Sequence, residues 1–333
     1  MTAIGRMTLW ILLAALLCAP TESRKVRIKL ATLAPDGSAW HELLKDLKAD
    51  WTRISGGRVQ LRIYPGGIAG DEPTVMRKMG VGTYQAALIT SIGLSSLDRS
   101  TRLFIVPRML RTNEELDQAV EAFAPEMERT LAGKGTVVLS WLDAGWVRFF
   151  VPEEEASVDA VRKMKLFTWA GDTEAIALWK ASGFHVVPLP ATDLVTGLKT
   201  DLINAFGTTP VYALSSQTFR HTRYMIDMNW APLTGALVIT SKAWSKIPED
   251  LRPQLKAAVH SFGERFKSES RRLEAEAIVA MEKRGLKVIV PTSEEVARWD
   301  AVAKEAYPSV RGSYVPADDF DRLAALVSRL RSE

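Results

Sequence analysis

Cysteine is almost missing from this chain: of 333 residues only Cys18 is one. Cys18 lies inside an N-terminal apolar segment, so the rest of the chain holds no thiol and no disulfide and must be stabilised by its core. Histidine is scarce too. His41, His185, His221 and His260 are dispersed without metal-ligand spacing, which gives no basis for a metal site. Neither a nucleophile elbow nor a phosphate-binding loop occurs. The Tyr64-Pro65-Gly66-Gly67 turn has glycines that let backbone approach a ligand, yet lacks a following lysine. An enzyme, a metal and a cofactor are therefore unsupported. Charge of one sign is not concentrated, because 43 Lys and Arg are interspersed with 39 Asp and Glu for a net +4. That leaves nucleic acid without support as a partner. Beyond the N-terminus no apolar run approaches the roughly 20 residues of a membrane span, so any membrane role must come through partners.

What is present begins with a secretory signal over residues 1–23. Arg6 supplies the positive start, residues 9–17 are apolar but too short for a permanent anchor, and the small residues Thr21 and Ser23 fit cleavage before Arg24. The expected location is periplasmic. Cys18 follows Leu16 and Leu17 and not the small residue a lipoprotein signal needs, so a lipid anchor is the lesser alternative. The remaining residues, about 310, exceed the size at which one core keeps growing, and two lobes are expected.

Residues 26–33 alternate as a strand. The turn Pro35-Asp36-Gly37-Ser38 leads into a helix capped by Ser38, with Trp40, Leu43, Leu44, Leu47 and Trp51 at helical spacing. A strand at 59–64, a helix at 72–79 and a strand at 85–89 follow, the last with Thr90 and Ser91 at its carboxyl end. Residues 112–132 read as an amphipathic helix ended by Gly133-Lys134-Gly135 before a strand at 136–141. The stretch 164–210 contains two β-α units, hence a parallel sheet in a second lobe. Open α/β sheets bind ligands beyond the carboxyl ends of their strands. There this stretch offers Phe167, Trp169 and Phe206, with no charge among them. Residues 145–151 and 236–240, the latter preceded by the apolar-aromatic run 225–232, are candidate crossing strands of a hinge. From Pro248 to Gly285 only Pro253, in the first turn, and Gly263 interrupt a helical pattern roughly 50 Å long, enough to brace both lobes. A strand at 286–290 and helices at 293–306 and 317–330 complete the chain.

Four blocks carry a resemblance: KLATLAPDGSAWHE (29–42), YPGGIAGDEPTVMRKMGVGTYQAALIT (64–90), VVPLPATDLVTGLKTDLINAF (186–206) and LVITSKAWSKIPEDLRPQL (237–255). In this order they resemble the solute-binding proteins of TRAP transporters, the tripartite ATP-independent periplasmic carriers. The resemblance implies an α/β, two-lobed periplasmic-binding-protein fold with two crossing hinge strands and a long lobe-spanning helix. Lobe I would comprise 24–148 and 237–272, and lobe II 149–236 and 273–333. It further implies a small-molecule solute in the interlobe cleft, a small and a large membrane subunit as partners, and no cofactor. Service to a different type of carrier, handover of the solute to another periplasmic protein in a sensory or relay role, and a hydrolase on the same scaffold are the rivals.

Two departures from the family pattern bear on the ligand. Most such proteins carry, on the strand opening lobe II, an arginine that grips a ligand carboxylate bidentately; the aligned residue here is Phe167, followed by Thr168, Trp169, Ala170 and Gly171 where the family has a proline-glycine run. Further on, an acidic, amide-rich VDGQENP is replaced by INAFGTTP over 203–210, which brings Phe206, Gly207, Thr208 and Thr209 to the reading position. Phe167, Trp169 and Phe206, joined by Trp40, Trp146 and Trp230, are expected to line an apolar pocket for a hydrophobic or aromatic solute. The competing reading has these aromatics packing the lobes. Thr90, Ser91 and Thr208 are the expected hydrogen-bonding groups. Arg148, in AGWVRFF, stands one position after the family's other cleft arginine, so it is either the anchor of a carboxylate or a hinge salt bridge; a one-residue slip on a strand reverses the face unless a bulge absorbs it. Asp172, Glu174 and Asp193 read as helix-start acids.

Overall fold

The structure, a computed structural model, describes residues 25–332; the expected signal segment, with Cys18, lies outside them. Lobe I opens with β1 (Val26–Thr32), α1 (Ala39–Ile54), β2 (Val59–Tyr64), α2 (Glu72–Gly80), β3 (Ala86–Thr90), the single turn α3 (Ser91–Leu94), α4 (Asn113–Gly133) and β4 (Thr136–Trp146). The chain then crosses to lobe II. There it forms β5 (Arg148–Val151), α5 (Val158–Lys163), β6 (Leu166–Trp169), α6 (Thr173–Ala181), β7 (Val186–Leu189), α7 (Leu194–Lys199), β8 (Phe206–Thr208), α8 (Pro210–Ser215) and β9 (Tyr224–Ile226). It returns as β10 (Pro232–Thr240) and α9 (Ser241–Trp244). After these come α10 (Arg252–Glu282), β11 (Lys287–Ile289), α11 (Ser293–Ser309) and α12 (Ala317–Leu330).

The lobe I sheet runs β2-β1-β3-β10-β4, with β1 parallel to β2 and β3, and β10 antiparallel to β3 and β4. Ser38 and Thr112 cap α1 and α4 by accepting the N–H groups of His41 and Glu115. In lobe II, β6 and β7 are parallel, as the two β-α units predict, and an isolated bridge from Leu166 to Ala205 extends them toward β8. The lobe is not wholly parallel, because the incoming strand β5 inserts antiparallel between β9 and β8.

The hinge is where the two crossings meet. The Val147 N–H donates to the Ala231 carbonyl at 2.8 Å, and the Trp230 N–H donates back to the Val147 carbonyl at 3.0 Å. Just before it, Asp143 pairs with Thr234 and Trp146 with Pro232, so three steps on β4 match two on β10. This β-bulge contains Gly145, whose φ of 93° suits a residue without a side chain. The bracing helix α10, 31 residues and so about 46 Å long, sends Leu255, Val259, Phe262 and Phe266 into the lobe I core and Met281 into that of lobe II. Gly263, an isolated glycine by sequence, is where α10 lies on β4: a Cβ there would collide with the Ser140 hydroxyl.

The C-terminus departs from the expected division. Residues 293–309 stay with lobe II, with Trp299 stacked on Phe149 at 5.0 Å and its indole N–H donating to the Ala156 carbonyl. In contrast, Phe320, Leu323 and Val327 of α12 share a core with Leu116 and Phe123 of α4, and Arg331 pairs with Glu115. By packing, the end of the chain belongs with lobe I and not with the expected 273–333 unit. The apolar spacing of α12 specifies a buried face but not which lobe receives it.

Candidate functional site

A cavity of about 330 Å³ lies between the lobes, at the small end of the range for ligand pockets, which is about 300 to 1,000 Å³. Its floor is made at strand ends: Thr32 is the last residue of β1, Leu88 to Thr90 are the carboxyl end of β3, Leu166 to Trp169 are the whole of β6, and Thr208 closes β8. Because β10 is antiparallel to its neighbours, its first residues, Pro232 to Ala236, arrive at the same edge. The site therefore sits where the geometry of open α/β sheets puts ligands.

Six of the residues expected at the site line this cavity: Phe167, Trp169, Trp40, Trp230, Thr90 and Thr208. Trp40 is held by stacking on Phe266, with centroids 6.0 Å apart, and by donating its indole N–H to the Ser270 hydroxyl at 3.0 Å. Trp230 joins Phe149, Trp179 and Trp299 in an aromatic cluster of lobe II. The Thr90 hydroxyl is committed, donating to Glu72 at 2.7 Å.

The other four are elsewhere, each for a definable reason. Phe206 is fully buried and stacked parallel on Phe150 at 5.0 Å, in a core with Leu194, Leu198 and Phe219. It lies two residues upstream of the wall residue Thr208, at the covered end of β8. Trp146 follows the bulge and turns away, donating to the Asn113 side chain at 2.9 Å inside the core beneath α4. Ser91 is buried against the Thr234 hydroxyl at 2.7 Å. Arg148 lies between two wall residues, Val147 and Phe149, so strand alternation points it out of the cavity. It pairs with Asp227 at 2.7 Å and with Glu274 of α10, and so ties the outgoing crossing, the returning segment and the bracing helix together. Of its two expected roles, the structure contains the hinge salt bridge.

The wall is overwhelmingly apolar, and among the described residues no Lys, Arg or His contributes to it. Its ionisable groups are two acids and two tyrosines. Glu72, the first residue of α2, is 3 % exposed and accepts both the N–H of Thr90 (2.8 Å) and its hydroxyl (2.7 Å). Burial pushes its carboxyl up to about 7 against the pull of those hydrogen bonds. By sequence it is indistinguishable from an ordinary helix-start acid; the capping Asp71 beside it masks the signal. Asp172 caps α6 as expected, accepting the Ala175 N–H at 3.2 Å. It also faces Arg102 of lobe I at 3.0 Å and the Tyr314 hydroxyl at 3.1 Å. Burial raises its carboxyl, and Arg102 opposes the shift. Two Arg102 nitrogens, Nε and Nη1, are buried without a partner among the described residues.

The rim is closed by contacts between lobes. Asp71 accepts the Trp169 indole N–H at 2.7 Å and the Ala191 N–H at 3.3 Å, both from lobe II. Gly67, with φ 78°, and Gly171 permit close approach: a Cβ on the first would come within 2.8 Å of Thr192, and on the second within 2.7 Å of Pro73. With the Arg102–Asp172 pair, these hold a closed clamp in which Trp169 is both wall and latch. No helix among the described residues is long and apolar enough to cross a membrane.

Comparisons with known proteins agree with this architecture. The family model of bacterial extracellular solute-binding proteins, family 7 (DctP), matches residues 30–312. The chain is similar to the 2,3-diketo-L-gulonate-binding periplasmic protein YiaO of Escherichia coli, 23% identical over 238 residues that cover 70% of this chain and 71% of YiaO. Among solved structures, the sugar acid binding protein DctPAm of Advenella mimigardefordensis, in complex with galactonate, superposes with a TM-score of 0.86. The match has 15% identity and covers 92% of this chain and 99% of that one. A TRAP periplasmic solute-binding protein from Sulfurospirillum deleyianum with bound succinate gives 0.82 at 17% identity, covering 91% and 98%.

Proposed function

The chain belongs to the DctP family of bacterial extracellular solute-binding proteins, and we propose that it captures an uncharged, hydrophobic or aromatic solute in the interlobe cavity and delivers it to the small and large membrane subunits of a TRAP-type carrier. One observation carries this reading: a wall with aromatic side chains from both lobes and no cation. A carboxylate moved into it would lose its hydration without gaining a paired charge, at a cost of several kcal/mol. An apolar solute gains about 25 cal/mol for each Å² removed from water. Trp40 reads the solute from lobe I, beside Thr90, whose hydroxyl proton Glu72 holds; Phe167, Trp169 and Thr208 read it from lobe II. A solute touching both faces favours the closed clamp that a membrane partner recognises, by population shift about the hinge. The protein acts in the periplasm after removal of its signal segment and makes or breaks no bond. Because an apolar solute needs a shielded path through water, a second periplasmic protein that accepts it from the cleft belongs to the same reading.

A carboxylate receptor is the second reading, and two observations favour it. The solved relatives hold galactonate and succinate, and Arg102, paired with Asp172, has two buried donors without partners among the described residues. Arg148 is not available for that role while Asp227 and Glu274 hold it. The deciding experiment is native mass spectrometry of the protein purified from its own host, followed by denaturation and identification of the released molecule. A neutral apolar compound supports the proposal. A small carboxylate overturns it and transfers the anchor to Arg102.

A further inference from the structure

The cavity differs at its two ends. Where β1 and β3 end and β10 begins, its wall includes Thr32, Thr90, Thr234 and Glu72. From there it passes Phe149 and Trp230 and continues into lobe II between α6 and α11. On the α6 side the wall is Ala175, Leu178 and Trp179; on the α11 side it is Val302, Ala303 and Ala306. Ala303 and Ala306 are three apart and share one helix face. With Ala175 opposite, three methyl groups stand where larger apolar side chains would close a lobe core of this kind. At roughly 30 Å³ for a unit the size of a water molecule, 330 Å³ holds on the order of ten such units, to be shared between the polar and the apolar end of the wall.

We propose that the solute is a single-chain amphiphile: its apolar tail lies between α6 and α11, and its uncharged, hydroxyl-bearing head lies against Thr32, Thr90, Thr234 and Glu72 at the strand ends, where hydroxyl oxygens can still accept. This rests on the apolar-solute reading above and specifies its ligand class. With no Lys, Arg or His among the described wall residues, a fatty-acid carboxylate or a phosphate head would find no paired cation in the wall itself. The Arg102–Asp172 pair bounds the cavity beside Tyr314, where the tail turns into lobe II.

The test is titration calorimetry of the protein, stripped of host ligand by denaturation and refolding, with 1-hexanol, 1-octanol and 1-decanol. Benzyl alcohol serves as a compact control. Affinity should rise about four-fold for each added methylene, the transfer free energy of one CH₂, until the tail space is full. Ala306→Phe, which fills the space between the helices, should weaken decanol at least ten-fold and leave benzyl alcohol within two-fold. Equal affinity for hexanol and decanol would overturn the amphiphile inference. So would decanol binding that survives both Ala306→Phe and Ala303→Leu, and in either case benzyl alcohol binding would leave the apolar-solute reading standing. Binding of galactonate or succinate with none of the alcohols would sink both. Should the variants not fold, the chain-length series on the unaltered protein decides alone.

Discussion

Glu72 offers the sharpest quantitative check on the dryness of the cavity. Its carboxyl rises from 4.5 to about 7 because burial penalises the charged form, with the neighbouring Asp71 adding to the rise and the Thr90 hydrogen bonds opposing it. The two cations on the same helix turn elsewhere: the Arg77 guanidinium donates to the Thr74 hydroxyl, and the Lys78 ammonium donates to the Ala69 carbonyl and lies over the Tyr84 ring. An acid with a raised native pKa contributes stability that is complete below about 4.5 and is lost as pH climbs through about 7. At 1.36 kcal/mol for each pKa unit, the loss is about 3 kcal/mol between pH 4.5 and 8. Glu72→Gln cannot ionise and retains an acceptor for the Thr90 N–H. Urea unfolding of both proteins across that range, subtracted one from the other, isolates this residue because all other titrations cancel. The wild type should lose stability relative to the variant as pH rises, by about 3 kcal/mol in total. A difference that stays flat between pH 5 and 8 would mean that Glu72 titrates as though hydrated, and the claim of a dry wall would fall with it.

Three further outcomes separate wall from core and rim from hinge. Phe206→Ala should cost about 3 to 5 kcal/mol of stability by emptying the stack on Phe150, whereas Phe167→Ala should cost about 1 kcal/mol and weaken solute binding; equal stability losses in denaturant titrations would contradict the assignment. Asp71→Ala deprives the Trp169 indole and the Ala191 N–H of their acceptor, so the unliganded protein should open and its radius of gyration in X-ray scattering should grow; an unchanged scattering curve would show that Asp71 is no latch. Arg148→Met leaves Glu274, whose side chain is 13% exposed, without its partner and should destabilise the fold by about 3 kcal/mol, with part recovered by adding Glu274→Gln. Loss of solute binding in a correctly folded Arg148→Met protein would restore Arg148 as an anchor.

The helices and the two-lobed plan were legible because their signals are local and redundant. Ser38 and Thr112 announce caps, Trp40 to Trp51 repeat at helical spacing, and only Pro253 and Gly263 interrupt the bracing helix. What stayed hidden depends on relations between distant segments. The bulge opposite Pro232 and Thr234 decides the faces of Trp146 and Arg148, yet Gly145 alone does not announce it, since a glycine near a hinge has other uses. Phe206 and Thr208 occupy one short strand, and which of them reaches the cavity depends on what covers the strand's beginning: Leu194, Leu198 and Phe219, which come from other elements. Glu72 is a site residue only because β3 delivers Thr90 to it, 18 positions later.

The placement of Arg148 ties these points together. In a receptor for acids, a cleft arginine makes closure depend on the ligand's charge, because the closed form is favoured only when a carboxylate pairs with it. Here the guanidinium is already paired on the outer side of the crossing strand, and the cleft side of the same strand carries Val147 and Phe149. Closure is then supported by two separate sets of contacts. Polar groups at the rim, Asp71 with Trp169 and Arg102 with Asp172, orient the lobes, while apolar area buried within supplies the ligand-dependent part. On the proposed apolar-solute reading only the second set changes with the solute, and discrimination then rests on shape and length, through walls such as Phe167, Trp179 and Ala306.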